Sequence, residues 1–320
     1  MSATIGNDIS AASHFLKAGK LVAIPTETVY GLAANALNEE AVLNIFKAKK
    51  RPDFDPLIVH AVDMESAFGW ASEIPSKAKL LADAFWPGPL TLVLPKKPEI
   101  PYVVTSGLET VGLRVPNHPV TRELLQSLPF PLAAPSANPF GYISPTTAQH
   151  VFENLQNEID YVLDGGACEH GLESTIIGFE NGQPIIYRRG SLSKSILEKV
   201  VGPICEKINS SSNPKAPGQL AVHYAPRKKL ILVDAHHVNE IHQPFTLINF
   251  GNLLDSAIPK AQDVLSLSSE GNITEAARKL YGILREADAL ENPTIISCSL
   301  PGGDMAEAIN DRLKRAASPV

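Results

Sequence analysis

Polar side chains that could bind a substrate follow a short apolar segment near the N-terminus. Residues 25–32, Pro-Thr-Glu-Thr-Val-Tyr-Gly-Leu, bring two threonine hydroxyls, a carboxylate and a phenol together directly after the apolar residues 21–24. Sheets of α/β proteins bind ligands outside the carboxyl ends of their strands, and Gly31 permits a close approach of the backbone. A polar turn that merely ends the strand explains the same composition, so these residues alone leave both interpretations open.

Cations are concentrated a short distance further along the chain. Lys47, Lys49, Lys50 and Arg51 occupy four of five consecutive positions, in a chain whose formal net charge is −6. A helix C-terminus attracts such a cation, which accounts for one lysine. Arginine matches phosphate oxygens with a planar fork, and lysine adds a point charge. The cluster therefore favours a small anionic ligand such as the phosphates of a nucleotide, whereas the acidic net charge argues against bulk binding of nucleic acid.

Further polar residues follow or interrupt apolar segments. Ser136 and Asn138 come after one predicted strand, and Ser174 begins another. Arg114 interrupts an apolar strand, and a buried guanidinium needs an anion, which can be a protein carboxylate or a ligand. Taken alone, Arg114 fits a structural ion pair better. His60, at the end of another predicted strand, is either a ligand contact or a histidine of the core.

The sequence lacks the local signatures of several enzyme classes. It contains no Gly-x-x-x-x-Gly-Lys-Ser/Thr loop, no Gly-x-Gly-x-x-Gly fingerprint, no protein-kinase motif set and no Gly-x-Ser-x-Gly nucleophile elbow. It also contains no His-x-x-x-His pair that would hold a metal on a helix. A site rich in hydroxyls and cations suits phosphoryl or nucleotidyl transfer, in which positioning and charge stabilisation supply most of the catalysis.

Alternating apolar patterns predict the elements that must position these residues. Strands are predicted at residues 21–24, 57–62, 90–94, 111–115, 132–134, 161–163, 174–179 and 185–187, and helices at 8–18, 39–47, 76–85, 120–126, 148–154 and 193–200. Strands interleaved with helices predict an α/β fold. Because some neighbouring strands lack a helix between them, the sheet should be mixed.

A second, smaller domain is predicted after a linker. Residues 207–218 have the composition of a linker. Beyond it, strands are predicted at 230–233, 245–249, 264–267 and 295–298, and helices at 273–287 and 305–316. We therefore divide the chain into a catalytic domain at 1–206, a linker at 207–228 and a small α/β domain at 229–320. The length of 320 residues is consistent with two domains.

Composition indicates a soluble cytoplasmic protein that does not enter a membrane. Hydrophobic residues make up 44% of the chain and charged residues 19%, an ordinary globular balance. No apolar run approaches the roughly 18–20 residues that span a bilayer, and the N-terminus lacks the features of a signal peptide. The 3 cysteines are far apart, which favours a reducing compartment and provides no zinc framework.

Taken together, these segments resemble the YrdC-like family, and within it the two-domain members that make threonylcarbamoyl-AMP. The matching motifs, in chain order, are residues 25–32, the Lys-x-Arg of Lys49 and Arg51, Pro-Leu-Ile-Val-His at 56–60, Gly-Leu-Arg-Val-Pro at 112–116, the Ser-x-Asn of Ser136 and Asn138, Glu-Ser-Thr-Ile at 173–176 and Arg-Arg-Gly at 188–190. In the linker, residues 217–220 and 223–226 resemble the segment that folds over the catalytic cleft in long members. The resemblance implies a twisted mixed sheet with flanking helices and a smaller Rossmann-like α/β domain at the C-terminus.

The resemblance also implies an activity. Such enzymes join L-threonine, bicarbonate and ATP, with Mg²⁺ accompanying the ATP, into L-threonylcarbamoyl-AMP and release pyrophosphate. They are nucleotidyltransferases. Their product passes to a tRNA threonylcarbamoyl-transferase machinery that modifies an adenosine beside the anticodon of tRNAs reading codons that begin with A. Weak binding of tRNA or other RNA is a further implication.

The resemblance assigns roles to individual residues of this sequence. It implies a catalytic role for Lys49 and Arg51, and contacts to ATP from Arg51, Asp55, Thr110, Ser136, Asn138, Ser144, Arg188 and His223. It implies contacts to L-threonine from Thr28, His60, Arg114, Ala134 and Ser174, where Ala134 can act only through its backbone. With His223, the linker residue Tyr224 is expected to close the cleft.

Two departures and two rival functions accompany this assignment. The sequence has Lys50 where the family usually has glycine and Asp55 where asparagine is common, which puts the backbone around Arg51 in question.

A relative that serves hydrogenase maturation would be a far longer chain with Cys-rich zinc motifs. An RNA-binding module with a basic surface would carry a less acidic balance than this chain does.

Overall fold

The structure, a computed structural model, describes residues 2–52, 54–208, 223–233 and 244–317. The larger part is built on an 11-stranded sheet. Its strands are β1 (Thr4–Gly6), β2 (Val22–Ile24), β3 (Gly31–Asn35), β4 (Ile58–His60), β5 (Leu90–Pro95), β6 (Thr110–Arg114), β7 (Leu132–Ala133), β8 (Tyr161–Leu163), β9 (Thr175–Glu180), β10 (Gln183–Arg188) and β11 (Cys205–Glu206). The flanking helices are α1 (Ile9–Lys17), α2 (Glu39–Lys49), α3 (Met64–Phe68), α4 (Ser76–Phe85), α5 (Tyr102–Thr105), α6 (Pro119–Gln126), α7 (Ala148–Leu155) and α8 (Lys194–Val201).

This sheet is mixed, as the sequence predicted. Its order is β1-β8-β2-β3-β7-β4-β6-β5-β9-β10-β11. β4 runs parallel to β6, whereas β7 runs antiparallel to both of its neighbours, β3 and β4. The predicted α/β class and mixed sheet are therefore confirmed.

Strand register brings residues that are distant in sequence to one place. Parallel pairing of β4 with β6 sets His60 beside Arg114. The residue after β7 continues the antiparallel pairing with β4, because the amide of Ala134 donates to the carbonyl of Ile58 at 2.9 Å. An isolated bridge then joins Gly31 to the segment after β7. Residues 25–30 form the connection between the antiparallel strands β2 and β3, and the carbonyl of Tyr30 accepts from the amide of Ala137 in the segment after β7 at 2.8 Å.

Helix α2 positions the cation cluster. The side chain of Asn38 caps its first turn by accepting from the amide of Ala41, and Val42, Ile45 and Phe46 are buried in the core. The helix extends two residues beyond its predicted end at residue 47, and it stops at Lys50, whose φ of 52° is left-handed. Within the cation cluster, Lys47 and Lys50 are exposed, whereas Lys49 and Arg51 are buried. The end of α2 therefore directs only Lys49 and Arg51 into the protein.

The C-terminal part forms its own parallel sheet. Its strands are β12 (Lys229–Leu232), β13 (Phe245–Phe250), β14 (Asp263–Ser268) and β15 (Thr294–Ser297), in the order β12-β15-β13-β14. The helices α9 (Ile273–Ala289) and α10 (Asp304–Ala316) and a 3-10 helix (Asp255–Lys260) complete it. An all-parallel sheet with crossover helices agrees with the Rossmann-like architecture that the resemblance implied.

The first sheet ends at Glu206 and the second begins at Lys229. The predicted linker lies between them, but its residues 209–222 are outside the described residues, so the domain boundaries stay a prediction. Within the described ranges, no helix combines the length and the apolar character that crossing a membrane requires.

Candidate active site

One cleft collects most of the predicted site residues. The predicted residues in its lining are Thr28, Arg51, His60, Arg114, Ala134, Ser136, Ser174, Arg188, His223 and Tyr224. They come from the turn after β2, the segment after α2, the ends of β4, β6 and β10, the segment after β7, the residue before β9 and the end of the linker. The cleft therefore has two ends, one around Arg114 and one around Arg51.

The Arg114 end combines a guanidinium with hydroxyl groups. The Nη2 atom of Arg114 donates to Oε1 of Glu27 at 2.6 Å and to Oγ1 of Thr28 at 3.0 Å. Burial alone would raise the pKa of Glu27, but the Arg114 guanidinium holds this pKa below its usual value. The structural ion pair that Arg114 suggested when taken alone is thus present. Even so, the buried Nε of Arg114 has no hydrogen-bond partner among the described residues, and it is a donor that a carboxylate ligand would satisfy.

His60 lies beside this guanidinium as a neutral side chain. Burial, and then the positive charge of Arg114, lower the pKa of His60 to about 3. Its Nδ1 atom lies 3.3 Å from the carbonyl oxygen of Ile58. Because the ring lines the cleft and is uncharged at neutral pH, it fits the predicted role of a ligand contact.

The protonation of His60 gives a testable pH dependence of stability. Between its ordinary pKa of 6.5 and its folded-state pKa of about 3, the unfolded chain binds a proton that the folded chain does not. The free energy of unfolding should therefore fall as the pH falls through this window, by about 1.4 kcal/mol per pH unit from this group. Denaturant unfolding of the ligand-free protein between pH 4 and 6 should show a shallower pH slope for His60→Gln than for the wild type. Equal slopes would contradict the assignment.

The Arg51 end is built around a buried ion pair. The Nη2 atom of Arg51 lies 2.8 Å from Oδ2 of Asp55, and the guanidinium also donates to the carbonyls of Asp55 and Pro56 at 3.1 and 3.0 Å. These contacts fix the plane of the guanidinium at the cleft wall. Asp55 itself is fully buried behind Arg51 and does not line the cleft. Its predicted contact with ATP would therefore act through Arg51.

Lys49 does not line the cleft, although its assigned catalytic role implied that it would. Its Nζ atom donates to the backbone carbonyls of Ser136, at 2.5 Å, and Asn138. Burial, and then the charge of Arg51, hold the pKa of Lys49 well below its usual value. The ammonium group is not part of the cleft lining. The geometry thus gives Lys49 a positioning role for the segment that carries Ser136, and its direct catalytic role stays a prediction.

Three other predicted ATP contacts lie behind or away from the cleft. The side chain of Asn138 donates to the carbonyls of Pro139 and Tyr142 at 2.9 and 2.8 Å, so it shapes the segment after β7. Ser144 donates to Oε1 of Glu173 at 2.8 Å. Thr110 is at the opposite end of β6 from Arg114, in a separate surface pocket beside Tyr187. The structure does not bring Thr110 to the cleft.

Sequence reasoning missed the role of Glu173 and everything contributed by α9 and α10. Glu173 lines the cleft and accepts hydrogen bonds from Tyr281 and Arg312 of the C-terminal part. The Glu-Ser-Thr motif drew attention to Glu173 without a role. Nothing local could have identified Arg312, because an arginine in an amphipathic helix is typical of a solvated face, whereas this one is 0% exposed.

Comparison with known proteins agrees with this fold and cleft. Residues 14–190 match the Sua5–YciO–YrdC family model, described as "Telomere recombination". The chain belongs to the Sua5–YciO–YrdC family, as the sequence resemblance predicted. Residues 192–318 match a second model, described as "Threonylcarbamoyl-AMP synthase, C-terminal domain". The chain therefore has the two-domain arrangement of the long family members.

Relatives resemble the chain over nearly its full length. A threonylcarbamoyl-AMP synthase of Pyrococcus abyssi is 39% identical over 97% of this chain and 94% of its own length. One of Bacillus subtilis is also 39% identical, over 97% of this chain and 92% of its own length. The crystal structure of P. abyssi Sua5 complexed with L-threonine superimposes with a TM-score of 0.89 at 38% identity, covering 97% of this chain and 94% of that one.

Proposed function

We propose that this chain is a nucleotidyltransferase that makes L-threonylcarbamoyl-AMP from L-threonine, bicarbonate and ATP and releases pyrophosphate. One observation carries the proposal: a single cleft joins a guanidinium with a partnerless Nε, on Arg114, to a second cationic wall formed by Arg51 and Arg188. A carboxylate at one end and a triphosphate at the other match these two charges. The names of the relatives support the same reaction.

The reaction requires two bonds to form. The amine of threonine attacks the carbon of bicarbonate, and loss of water leaves a carbamate. A carbamate oxygen then attacks the α-phosphorus of ATP, and pyrophosphate leaves with the electron pair of the broken bond. Neither step needs a covalent enzyme nucleophile, so the cleft has to bring the substrates together and offset negative charge.

Residues at the two ends would divide this work. At the Arg114 end, the guanidinium would bind the threonine carboxylate, while Thr28 and the neutral ring of His60 orient the remaining polar groups. At the other end, Arg51 and Arg188 would offset charge on the phosphates, because arginine forks fit phosphate oxygens. Ser136 and Ser174 also line the cleft, and their small hydroxyls leave room for the ligands.

Mg²⁺ is proposed to enter with ATP. Within the described residues, no group of three or more metal-ligating side chains is present. The residues therefore do not fit a cage built by the protein alone, but they fit a metal held mainly by phosphates. Protein sites for Mg²⁺-ATP add only one or two carboxylates, so the phosphates would supply most of the ligands. The metal would supply further neutralisation of phosphate charge.

The product would serve a later step in tRNA modification. A threonylcarbamoyl-adenylate is an activated acyl donor, so a transferase acting on tRNA is the proposed recipient, and weak contact with tRNA is part of the proposal. The cytoplasm is the compartment that we propose for this reaction.

Dependence on both small substrates tests the proposal. Pyrophosphate release from ATP should require L-threonine and bicarbonate together, and omission of either should reduce it to background. A parallel measurement should find threonylcarbamoyl-AMP by mass spectrometry, with ¹³C from labelled bicarbonate in the carbamoyl group. Release that continues unchanged without threonine would rule out this reaction.

A further inference from the structure

A buried polar cluster connects the cleft to the C-terminal part of the chain. Its centre is Glu173, whose Oε1 and Oε2 both lie 2.9 Å from the hydroxyl of Tyr281 and share its one proton. Oε2 also accepts from Nε of Arg312 at 3.0 Å, and Oε1 from Ser144 at 2.8 Å. Tyr281 belongs to α9 and Arg312 to α10, and both side chains are 0% exposed. A carboxylate of the cleft wall is thus held by two helices of the other sheet.

The same two side chains hold the end of the linker. The ring of Tyr224 stacks on that of Tyr281 with centroids 5.7 Å apart and planes 26° apart. The guanidinium carbon of Arg312 lies 5.1 Å from the centroid of the Tyr224 ring. Tyr224 is only 1% exposed: it belongs to the hydrophobic cluster of the C-terminal part, and the ring centroid of its neighbour His223 is 4.0 Å away.

The backbone of Tyr224 needs such support. Its φ is 65°, in the left-handed region that residues other than glycine rarely adopt. A residue in that region persists where its surroundings over-determine its conformation. Tyr281 and Arg312 are the polar part of those surroundings, and His223, the residue before Tyr224, lies in the lining of the cleft.

Charge gives the cluster a second role. Burial alone would raise the pKa of Glu173, but Arg312 and then Arg188 hold this pKa below its usual value, so Glu173 is ionised. An ionised carboxylate in the wall beside Arg188 would repel the negative charge of a triphosphate. Arg312 balances this charge from behind the wall, on the side away from the cleft.

We propose that Glu173, Tyr281 and Arg312 form a positioning cluster, through which the C-terminal part holds His223 and Tyr224 over the nucleotide end of the cleft. This inference rests on the proposed function for the identity of the nucleotide. The three residues do not touch the reacting atoms. Their effect is on the affinity for nucleotide, transmitted through Tyr224 and through the charge of Glu173.

Tyr281→Phe in the full-length chain tests the cluster, because it removes the hydroxyl that donates to Glu173 and keeps the ring against Tyr224. Calorimetric titration with α,β-methylene ATP should show a dissociation constant about tenfold higher than that of the wild type, as expected for a lost hydrogen bond to a charged group. The dissociation constant for L-threonine should stay within about twofold, because Arg114 and Thr28 do not contact the cluster. Arg312→Met should weaken nucleotide binding further, and adding Glu173→Gln to it should recover part of the loss.

Glu307→Gln is the matched control. Glu307 is also on α10 and pairs with Arg189 across the same interface at 3.0 Å, but it is half exposed and contacts neither Glu173 nor Tyr224. It should leave nucleotide affinity unchanged. If Tyr281→Phe and Glu307→Gln behave alike, or if Tyr281→Phe weakens threonine and nucleotide equally, the cluster is only an interface contact and the proposal is wrong.

Hydrogen exchange tests the positioning cluster independently of the proposed reaction, because it needs no ligand. The amide of Ala225 donates to the carbonyl of Gly141 at 2.8 Å, which reports the docked linker without any ligand. Exchange in peptides covering residues 223–228 should be about tenfold faster in Tyr281→Phe, by the same hydrogen-bond argument, and unchanged in Glu307→Gln. A wild type that does not bind α,β-methylene ATP would refute the nucleotide reaction, whereas unchanged exchange in Tyr281→Phe would refute the cluster.

Discussion

Replacing Arg51 by alanine is expected to lower kcat/KM for ATP by about 100- to 1000-fold, the effect of removing one preorganised charge-stabilising donor. The guanidinium lines the cleft at its cationic end and is fixed there by Asp55 and the carbonyl of Pro56. Its hydrogen bonds to protein atoms hold it in place before ATP arrives, so binding requires little reorganisation. Initial rates of pyrophosphate release at varied ATP and saturating threonine and bicarbonate measure the effect.

This substitution also leaves Asp55 buried without its counter-ion. Breaking a buried pair in this way costs about 3–5 kcal/mol of stability, which could reduce activity by unfolding alone. The double variant Arg51→Ala with Asp55→Asn removes the uncompensated charge and should recover thermal stability without recovering kcat/KM. Recovery of both would show that Arg51 acts through folding.

Lys47→Ala is the matched control for charge. Lys47 belongs to the same cation cluster, but its side chain is exposed on α2 and away from the cleft lining. Exposed charges are strongly screened by solvent, so activity should change by less than about twofold. A loss comparable with that of Arg51→Ala would mean that the cluster acts as a diffuse field and not through one positioned guanidinium.

Replacing Arg114 by alanine is expected to raise KM for L-threonine by about 100-fold, the effect of losing charge-assisted hydrogen bonds to a carboxylate. The partnerless Nε of Arg114 is the donor that a carboxylate would meet. Binding of α,β-methylene ATP should stay within about threefold of the wild type, since the nucleotide end is formed by other residues. Kinetics at varied threonine and titration with the analogue separate the two ends of the cleft.

Glu27 complicates this variant because its carboxylate loses its buried partner. Adding Glu27→Gln to Arg114→Ala removes the stranded charge while the side chain can still accept from the amide of Asn117. The double variant should regain stability and keep the high KM for threonine. An unaltered threonine requirement in either variant would show that Arg114 serves only its ion pair with Glu27.

Most regular elements were predictable because their patterns are local. The strand at 161–163 and the helix at 76–85 have the predicted bounds, and α9 differs from its prediction only by two residues at its end. β3 (Gly31–Asn35) was missed because its glycine and alanines have low strand propensity, and pairing with β2 and β7 makes it a strand. The short α3 and α5 were missed as well, since five and four residues carry too little periodicity.

For the cleft, the kinds of residues were predictable, but their partners were not. The motifs indicated hydroxyls and cations suited to threonine and ATP, and the structure collects most of them in one place. Lys49 could be recognised as a cation of the motif, yet only the fold shows its ammonium bound to backbone carbonyls 87 and 89 residues away. Thr110 could also be assigned a role from the family resemblance, but only the direction of β6 shows that it lies at the end of the strand away from the cleft.

By itself, the sequence determined the α/β class, the approximate elements and the chemistry of the site, because apolar periodicity and residue type are properties of neighbouring positions. Tertiary structure alone decided which charges meet. Glu27 pairs with Arg114 across 87 residues, and Glu173 with Arg312 across 139. Such partners are chosen by strand register and helix packing, and burial then makes each unpaired alternative costly. For this reason the residues 25–32 could be identified as a candidate binding segment from the sequence, while the link from the cleft to α9 and α10 became visible only in the folded chain.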